Sequence, residues 1–263
     1  IRRAEIFRVA VADLEDRLSL DEVGEALTEV SEATIEAALE VVVRKVEAER
    51  ETPLGTSLLI VGMGRLGGRE VGYSSDADVL YVHDPHEGAD EQAAQEAALA
   101  VVTELRRLIG AAGSDPPLGL DADLRPEGKS GPMVRSLASY ASYYDRWSQT
   151  WEAQALLRAR PVAGDPELGA RFTALIDPLR WSSDGLDAQQ VREVRRLKAR
   201  MEAERLPRGA DRKAHFKLGM GGLSDVEWTI QLLQMQHAHD HEGLRTTRTL
   251  LALTFVTGIL DAV

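Results

Sequence analysis

Apolar residues in the first fifty positions recur at helical spacing. Ile6, Val9, Val11, Leu14 and Leu18 form one run, and Val23, Leu27, Val30, Ile35, Ala38 and Val42 form a second, with an expected break at Ser31 and Thr34. Glu51-Thr52-Pro53-Leu54-Gly55 is a turn cluster. Beyond it the pattern changes to short continuous apolar runs, and Leu58 to Gly62 and Val79 to Asp84 are read as strands. Asp90 to Ile109 reads as a helix, with Asp90 at its N-cap and Gly110 just past its end. Pro116-Pro117 then interrupts the chain before a third short strand, Leu118 to Leu124.

From Ser136 onward the spacing is helical throughout. The expected helices are Ser136–Trp147, Trp151–Arg160, Asp165–Ile176, Asp187–Arg205, Ser224–Gln236 and Thr247–Leu260. Val191, Val194, Leu197 and Met201 make one apolar stripe. These elements predict an α+β protein with N-terminal helices over 1–55, a small α/β core over 56–146 and a helical bundle over 147–263.

Composition narrows the function classes. A chain of 263 residues is long enough for one large or two modest cores. It has no cysteine, so thiolate metal sites and disulfides are excluded and a reducing, cytoplasmic setting is expected. No apolar run approaches the length of a membrane span, and Ile1-Arg2-Arg3-Ala4-Glu5 does not read as a signal peptide. With no initiator methionine, and with Leu250 to Val263 reading as a helix that stops abruptly, the chain is expected to be a segment of a longer protein. A net charge of −12 argues against nucleic acid as the main partner. Arg192 to Lys217 is the local exception, with ten Lys/Arg against four acidic residues.

The candidate chemistry lies between the first two strands. The stretch Gly62-Met63-Gly64-Arg65-Leu66-Gly67-Gly68 is a glycine-rich turn whose backbone can approach phosphates closely. Asp76 and Asp78 follow at i and i+2, so on a strand they share a face and can grip a hard divalent cation. A phosphate cradle followed by a metal clamp is the layout of a nucleotidyltransferase. Gly62, Gly64 and Gly67 also fit a dinucleotide-binding fingerprint, with Asp84 in the ribose-binding place. That alternative needs a crossover helix within Arg69–Ala77, a stretch holding Gly72 and Ser74-Ser75. It also leaves Asp76 and Asp78 unused. A third reading makes them solvated residues at a strand entry.

Leu118 to Leu124 brings Asp121 and Asp123, again two apart. If this strand lies beside Asp76 and Asp78, three carboxylates converge and can hold two magnesium ions for an in-line displacement; otherwise the pair is a polar strand end at a sheet edge. Gly128-Lys129-Ser130 resembles the tail of a phosphate-binding loop, but Asp123 stands where its first glycine belongs, so a turn presenting Arg125 or Lys129 is expected. Ser224 with Glu227 reads as a capping box, and Asp225 suits the positive end of the helix dipole. His237 and His241 lack the glutamate of a zinc-protease motif and read as a solvated helix end.

Taken in order, several of these pieces resemble the bacterial glutamine synthetase adenylyltransferase family. They are Gly62 to Gly68, Tyr73-Ser74-Ser75-Asp76-Ala77-Asp78, Asp121 to Gly128 with Ser130-Gly131, Thr150-Trp151-Glu152 leading to Gln154 through Arg160, and Gly221 to Glu227. The resemblance implies a polymerase-β type nucleotidyltransferase fold followed by a helical domain. It implies ATP as substrate, Mg²⁺ as cofactor, glutamine synthetase as protein partner and a signalling protein acting on the whole enzyme.

It also implies metal ligands and catalytic groups at Asp76, Asp78 and Asp121, and nucleotide contacts at Gly64, Arg65, Gly67, Gly68, Ser75 and Arg125. Contacts from the helical domain are implied at Lys217, Asp225 and Glu227. Two departures stand out. Arg65 stands where the family often has lysine, and Asp123 where it often has arginine, which leaves Asp121 as the third carboxylate. The family protein holds two such modules, one adding AMP and one removing it by phosphorolysis. Gly72 to Asp76 and His215-Phe216-Lys217-Leu218-Gly219 are more similar to the adenylylating copy. A regulatory nucleotide-binding module without chemistry is the alternative from another class.

Overall fold

The computed structural model describes residues 1–111, 113, 115–206, 209, 211 and 214–260. Arg208, Arg212 and Lys213 of the basic run, and positions 261–263, lie outside the described residues. Helices α1 (Arg2–Leu14) and α2 (Leu20–Arg50) open the chain. The break between them falls at residues 15–19, not at Ser31 and Thr34. Ser19 caps α2 reciprocally with Glu22, whose Oε2 accepts from the Ser19 N–H at 2.8 Å. Ser31 and Thr34 sit inside α2 because their hydroxyls donate back to the carbonyls of Leu27 at 2.8 Å and Val30 at 2.6 Å.

Strand β1 (Thr56–Gly62), the short helical turn α3 (Gly64–Gly67) and strand β2 (Ala77–Pro85) follow. The strands pair antiparallel from Thr56↔Pro85 to Gly62↔Val79. No crossover helix separates them, which removes the dinucleotide-binding alternative. Helix α4 (Glu91–Gly110) is capped by Asp90, whose carboxylate accepts from the Ala93 N–H at 2.7 Å. Gly110 is its last helical residue and not the cap. Strand β3 (Leu120–Asp121) is much shorter than the expected Leu118–Leu124, because the chain turns at Ala122–Arg125. It pairs parallel with β2, while β4 (Arg135–Ser136) pairs parallel with the other end of β2.

Helices α5 (Leu137–Trp147) and α6 (Thr150–Leu156) precede β5 (Arg160–Gly164), and α7 (Pro166–Arg180) follows it. β5 starts at the last residue of the expected helix Trp151–Arg160 and fills the gap before the next expected helix, where the sequence pattern gives no strand. Pro161 explains the difference: proline disfavours helical backbone at the residue before it, and its missing N–H is tolerated on an edge strand. β5 is such an edge, closing the order β3-β2-β1-β5.

β1 and β2 are buried on both faces, hence their uninterrupted apolar runs. Leu58, Ile60, Val79 and Tyr81 join Leu39, Val42, Ala97, Val101 and Leu105 of α2 and α4 in one core. Each leucine, isoleucine and valine among them contributes about 1.5–3 kcal/mol by leaving water. On the opposite side Leu59 meets α7 at Gly169, and the ring of Tyr140 meets Phe172 edge-on at 5.3 Å.

His83 is buried in β2 at 1 % exposure, between Thr56 at 3.0 Å and Gln95 at 2.8 Å. Burial lowers its proton affinity in the fold. The unfolded chain, with an ordinary pKa of about 6.5, therefore takes up a proton that the fold refuses. The stability present at pH 7 is lost as pH falls below about 6.5 toward the lowered native value. His83→Gln, which keeps one donor and one acceptor, should flatten the fall in melting temperature between about pH 7 and 5. An unchanged slope in the variant would remove His83 as its cause.

Two compact units emerge, Ile1–Trp147 with Arg158–Leu175, and Ser148–Leu157 with Ile176–Val263. The first unit also takes in Arg158–Leu175, because β5 returns the chain to the sheet. The second unit holds α6, α8 (Ala188–Arg205), α9 (Leu223–His237) and α10 (Thr249–Leu260). Within it Gln154 donates to Gln231 at 2.7 Å, and Thr150 to Glu193 at 2.9 Å. No helix of the described residues is long and apolar enough to cross a membrane.

Candidate nucleotide and metal site

The glycine turn leaves β1 under tight steric control. The Met63 N–H donates to the Asp78 carbonyl at 2.8 Å, bringing the turn against the start of β2. Gly64 has φ +49°, and a Cβ there would lie 2.3 Å from Asp78 Oδ2. At Gly67 a Cβ would lie 1.8 Å from the Arg158 carbonyl oxygen. Only glycine fits either place. Gly68 follows in ordinary helical backbone, with φ −76°. Arg65, half-buried, donates to Ser75 Oγ at 3.4 Å, and Ser75 Oγ accepts from the Gly72 N–H at 3.0 Å. The turn is thereby linked to the segment that delivers the first aspartate.

Asp76 is exposed and stands one residue before β2, with Oδ1 2.9 Å from the place of a Cβ on Gly119. Asp78 lies inside β2 and is the direct partner of Asp121 on β3. Paired positions on neighbouring strands present side chains to the same face, where two like charges destabilise each other unless a cation lies between them. Hard oxygen donors of this kind suit Mg²⁺. Among the described residues no three His, Asp or Glu side chains close on a common point as a ready cation cage. The sheet register sets Asp78 beside Asp121, and the donor chemistry of these two carboxylates fits the ion.

Other expected residues are used differently. Asp123 does not share a strand face with Asp121, since β3 ends before it. Its N–H donates to Asp121 Oδ1 at 2.7 Å, and its carboxylate pairs with Lys129 at 3.1 Å. Arg125, expected to face phosphates, is only 6 % exposed and donates to the carbonyls of Ala122, Gly131 and Lys129. It ties the Ala122–Gly131 turn together, which is the demand a buried guanidinium makes.

Lys217, Asp225 and Glu227 lie in the second unit. Lys217 is exposed, and its carbonyl accepts from the Ser224 N–H and hydroxyl. The Ser224–Glu227 capping box does not form, because α9 starts one residue earlier, with Gly222 at the N-cap. Asp225 is held by Lys198 and by the Gly221 N–H at 2.6 Å, contacts that keep its carboxyl below the usual range. Glu227 is part-exposed on the same helix. His239 pairs with Asp240 at 2.9 Å, beside the end of α9.

A cavity of about 470 Å³ lies next to the Val71–Asp76 segment, with walls from Arg2, Ile6, Leu27 and Tyr73. Tyr73 donates to Asp13 at 2.8 Å, and its phenol is pushed up to about 12 by desolvation and by that carboxylate. Sequence reasoning gave no role to Arg158 and Arg160, although both close the Gln154–Arg160 motif. Arg158 pairs with Glu70 at 2.6 Å, and Arg160 pairs with Glu32.

Residues 1–175 match the family described as glutamate-ammonia ligase adenylyltransferase. The chain is 58% identical to a Streptomyces avermitilis protein and 52% identical to one from Mycobacterium tuberculosis, over 96% of its own length in both cases. A Nocardia farcinica protein is 52% identical over 97% of the chain. All three are named bifunctional glutamine synthetase adenylyltransferase/adenylyl-removing enzyme. The chain spans about a quarter of the length of these relatives (25–26%). A sheet that pairs Asp78 with Asp121 beside a glycine turn, and a match over two thirds of the sequence, carry one conclusion: the chain belongs to the glutamate-ammonia ligase adenylyltransferase family.

Proposed function

We propose that this chain is the adenylylating module of a longer bifunctional enzyme, transferring AMP from ATP to a tyrosine hydroxyl of glutamine synthetase. The observation that supports it most is the Asp78–Asp121 pairing beside Gly64. In this reading the first unit is a polymerase-β type nucleotidyltransferase core, and the second begins a helical bundle. The setting is cytoplasmic, and a signalling protein regulates the whole enzyme.

The triphosphate lies along Gly64 to Gly68, with Arg65 and Ser75 at its edge. Asp76, Asp78 and Asp121 would hold two Mg²⁺ ions, which when bound offset charge on the attacking and leaving oxygens. A tyrosine hydroxyl with an ordinary pKa of about 10 is a poor nucleophile at neutral pH. Asp121 takes its proton as the oxygen attacks the α-phosphorus. The new O–P bond forms as the α-phosphorus to bridging-oxygen bond breaks, and pyrophosphate leaves. Arg125, tied to backbone carbonyls, is left out of this scheme, and no role in transfer is assigned to Lys217, Asp225 or Glu227.

The relatives' names also carry adenylyl removal, so the product decides the module. Given unmodified glutamine synthetase and Mg·ATP, the chain should form AMP-tyrosine and pyrophosphate. If it instead releases ADP from the adenylylated partner in phosphate, and makes no AMP-tyrosine, it is the removing module. ATP binding with neither product would make it a regulatory module.

A further inference from the structure

The Gln154–Arg160 motif contains two arginines that the transfer scheme does not use, and both reach back to the glycine turn. Arg160 lies opposite Gly62 in the β1–β5 pairing. Its Nε donates to the Gly67 carbonyl at 3.2 Å and its Nη2 to the Leu66 carbonyl at 3.3 Å, while the same Nη2 meets Glu32 of α2. Two residues earlier, the Arg158 carbonyl fills the space that a side chain on Gly67 would need. Its guanidinium holds Glu70, just past the turn, with the two side chains only 8 % and 16 % exposed.

The carbonyls at the end of a helical turn have no donors within it and carry its partial negative charge; here the Leu66 carbonyl also accepts the Arg69 N–H at 3.3 Å from just past the turn. A planar guanidinium with several fixed N–H groups can serve two carbonyls and a carboxylate at once, which an ammonium cannot do in the same plane. At the other end of the turn, Gly64 lies against the Asp78 carboxylate. The turn is thus fixed between a carboxylate at its start and a cation at its end, before any ligand arrives.

We propose that Arg160, oriented by Glu32, is a positioning residue that holds the Gly64–Gly68 backbone in the shape that receives the triphosphate. This rests on the nucleotide-transfer reading only for the identity of the ligand; the clamp itself is a property of the apo chain. A preformed cradle spares the nucleotide the cost of ordering it. Losing it should weaken ground-state and transition-state binding alike, raising KM more than it lowers kcat. The natural control is Arg69, which also pairs with α2, through Glu29 at 2.8 Å, but whose side chain, among the described residues, bonds to none of the turn's carbonyls.

The test compares Arg160→Gln, Glu32→Gln and Arg69→Gln in the full chain by amide hydrogen exchange and by Mg·ATP kinetics. In Arg160→Gln the amides of Gly64–Gly68 should exchange at least about ten-fold faster than in the native chain. Its KM for Mg·ATP should rise about ten-fold, with kcat within about three-fold. Glu32→Gln should move both readouts the same way by less, and Arg69→Gln should move neither. Unchanged exchange in Arg160→Gln overturns the proposal, as does faster exchange with an unaltered KM. If the native chain neither binds nor uses Mg·ATP, the transfer reading falls, and the exchange arm still decides the clamp.

Discussion

Asp78→Asn is expected to lower AMP transfer by about 10²–10³-fold or more, because it removes one of two facing charges that need a cation between them. The fold should survive. The Asp78 side chain is only part-buried and lies against Gly64, outside the apolar core. Asp76→Asn and Asp121→Asn should behave alike, whereas Asp123→Asn should stay within about three-fold of native, since that carboxylate pairs with Lys129. Labelled AMP incorporation into glutamine synthetase at saturating Mg²⁺, beside a thermal melt of each variant, checks this. Near-native turnover in Asp78→Asn would remove the metal assignment.

Gly67→Ala should have the largest structural effect of any single added methyl group in the turn. The new Cβ would meet backbone, the Arg158 carbonyl at 1.8 Å and the Gly62 carbonyl at 2.4 Å, and neither can rotate away. Overpacking of this kind costs about 1–3 kcal/mol or more and must displace the turn. Gly64→Ala adds a left-handed strain of about 1–2 kcal/mol and pushes the Asp78 carboxylate, so transfer should fall further than stability. Gly110→Ala is the comparison, since it meets open space at the end of α4 and should be neutral or stabilising by about 0.5–1 kcal/mol. Urea unfolding and transfer assays on the three variants give the order. A Gly67→Ala protein as stable and active as native would mean that the turn is not packed as described.

The candidate site was legible in the sequence where its parts are local. The glycine run and the two aspartates that follow it are close in the chain, and the short gap between them already ruled against a crossover helix. The strands were legible because burial on both faces leaves unbroken apolar runs such as Val79 to Val82. What escaped depends on partners distant in sequence. β5 was missed, with only Arg160 reading as helical and 161–164 showing no element, because a five-residue edge strand containing a proline has no alternating pattern of its own. Its place comes from pairing with β1 about a hundred residues earlier.

Arg125 looked like a phosphate ligand because charge is visible in a sequence and burial is not. Three carbonyls of its own turn claim that guanidinium. Ser224 and Glu227 had the spacing of a capping box, but the Lys217 carbonyl takes the serine hydroxyl, and the helix starts at Leu223. Ser31 and Thr34 carried a break signal that their bonds to the preceding helical turn absorb.

The most direct test of the metal-centred account is a crystal structure of the chain with Mn²⁺ and a non-hydrolysable ATP analogue, read by anomalous scattering. Manganese is expected between Asp78 and Asp121 and against Asp76, with the analogue's phosphates along Gly64–Gly68. Manganese and nucleotide bound elsewhere, with those three carboxylates free of metal, would contradict it.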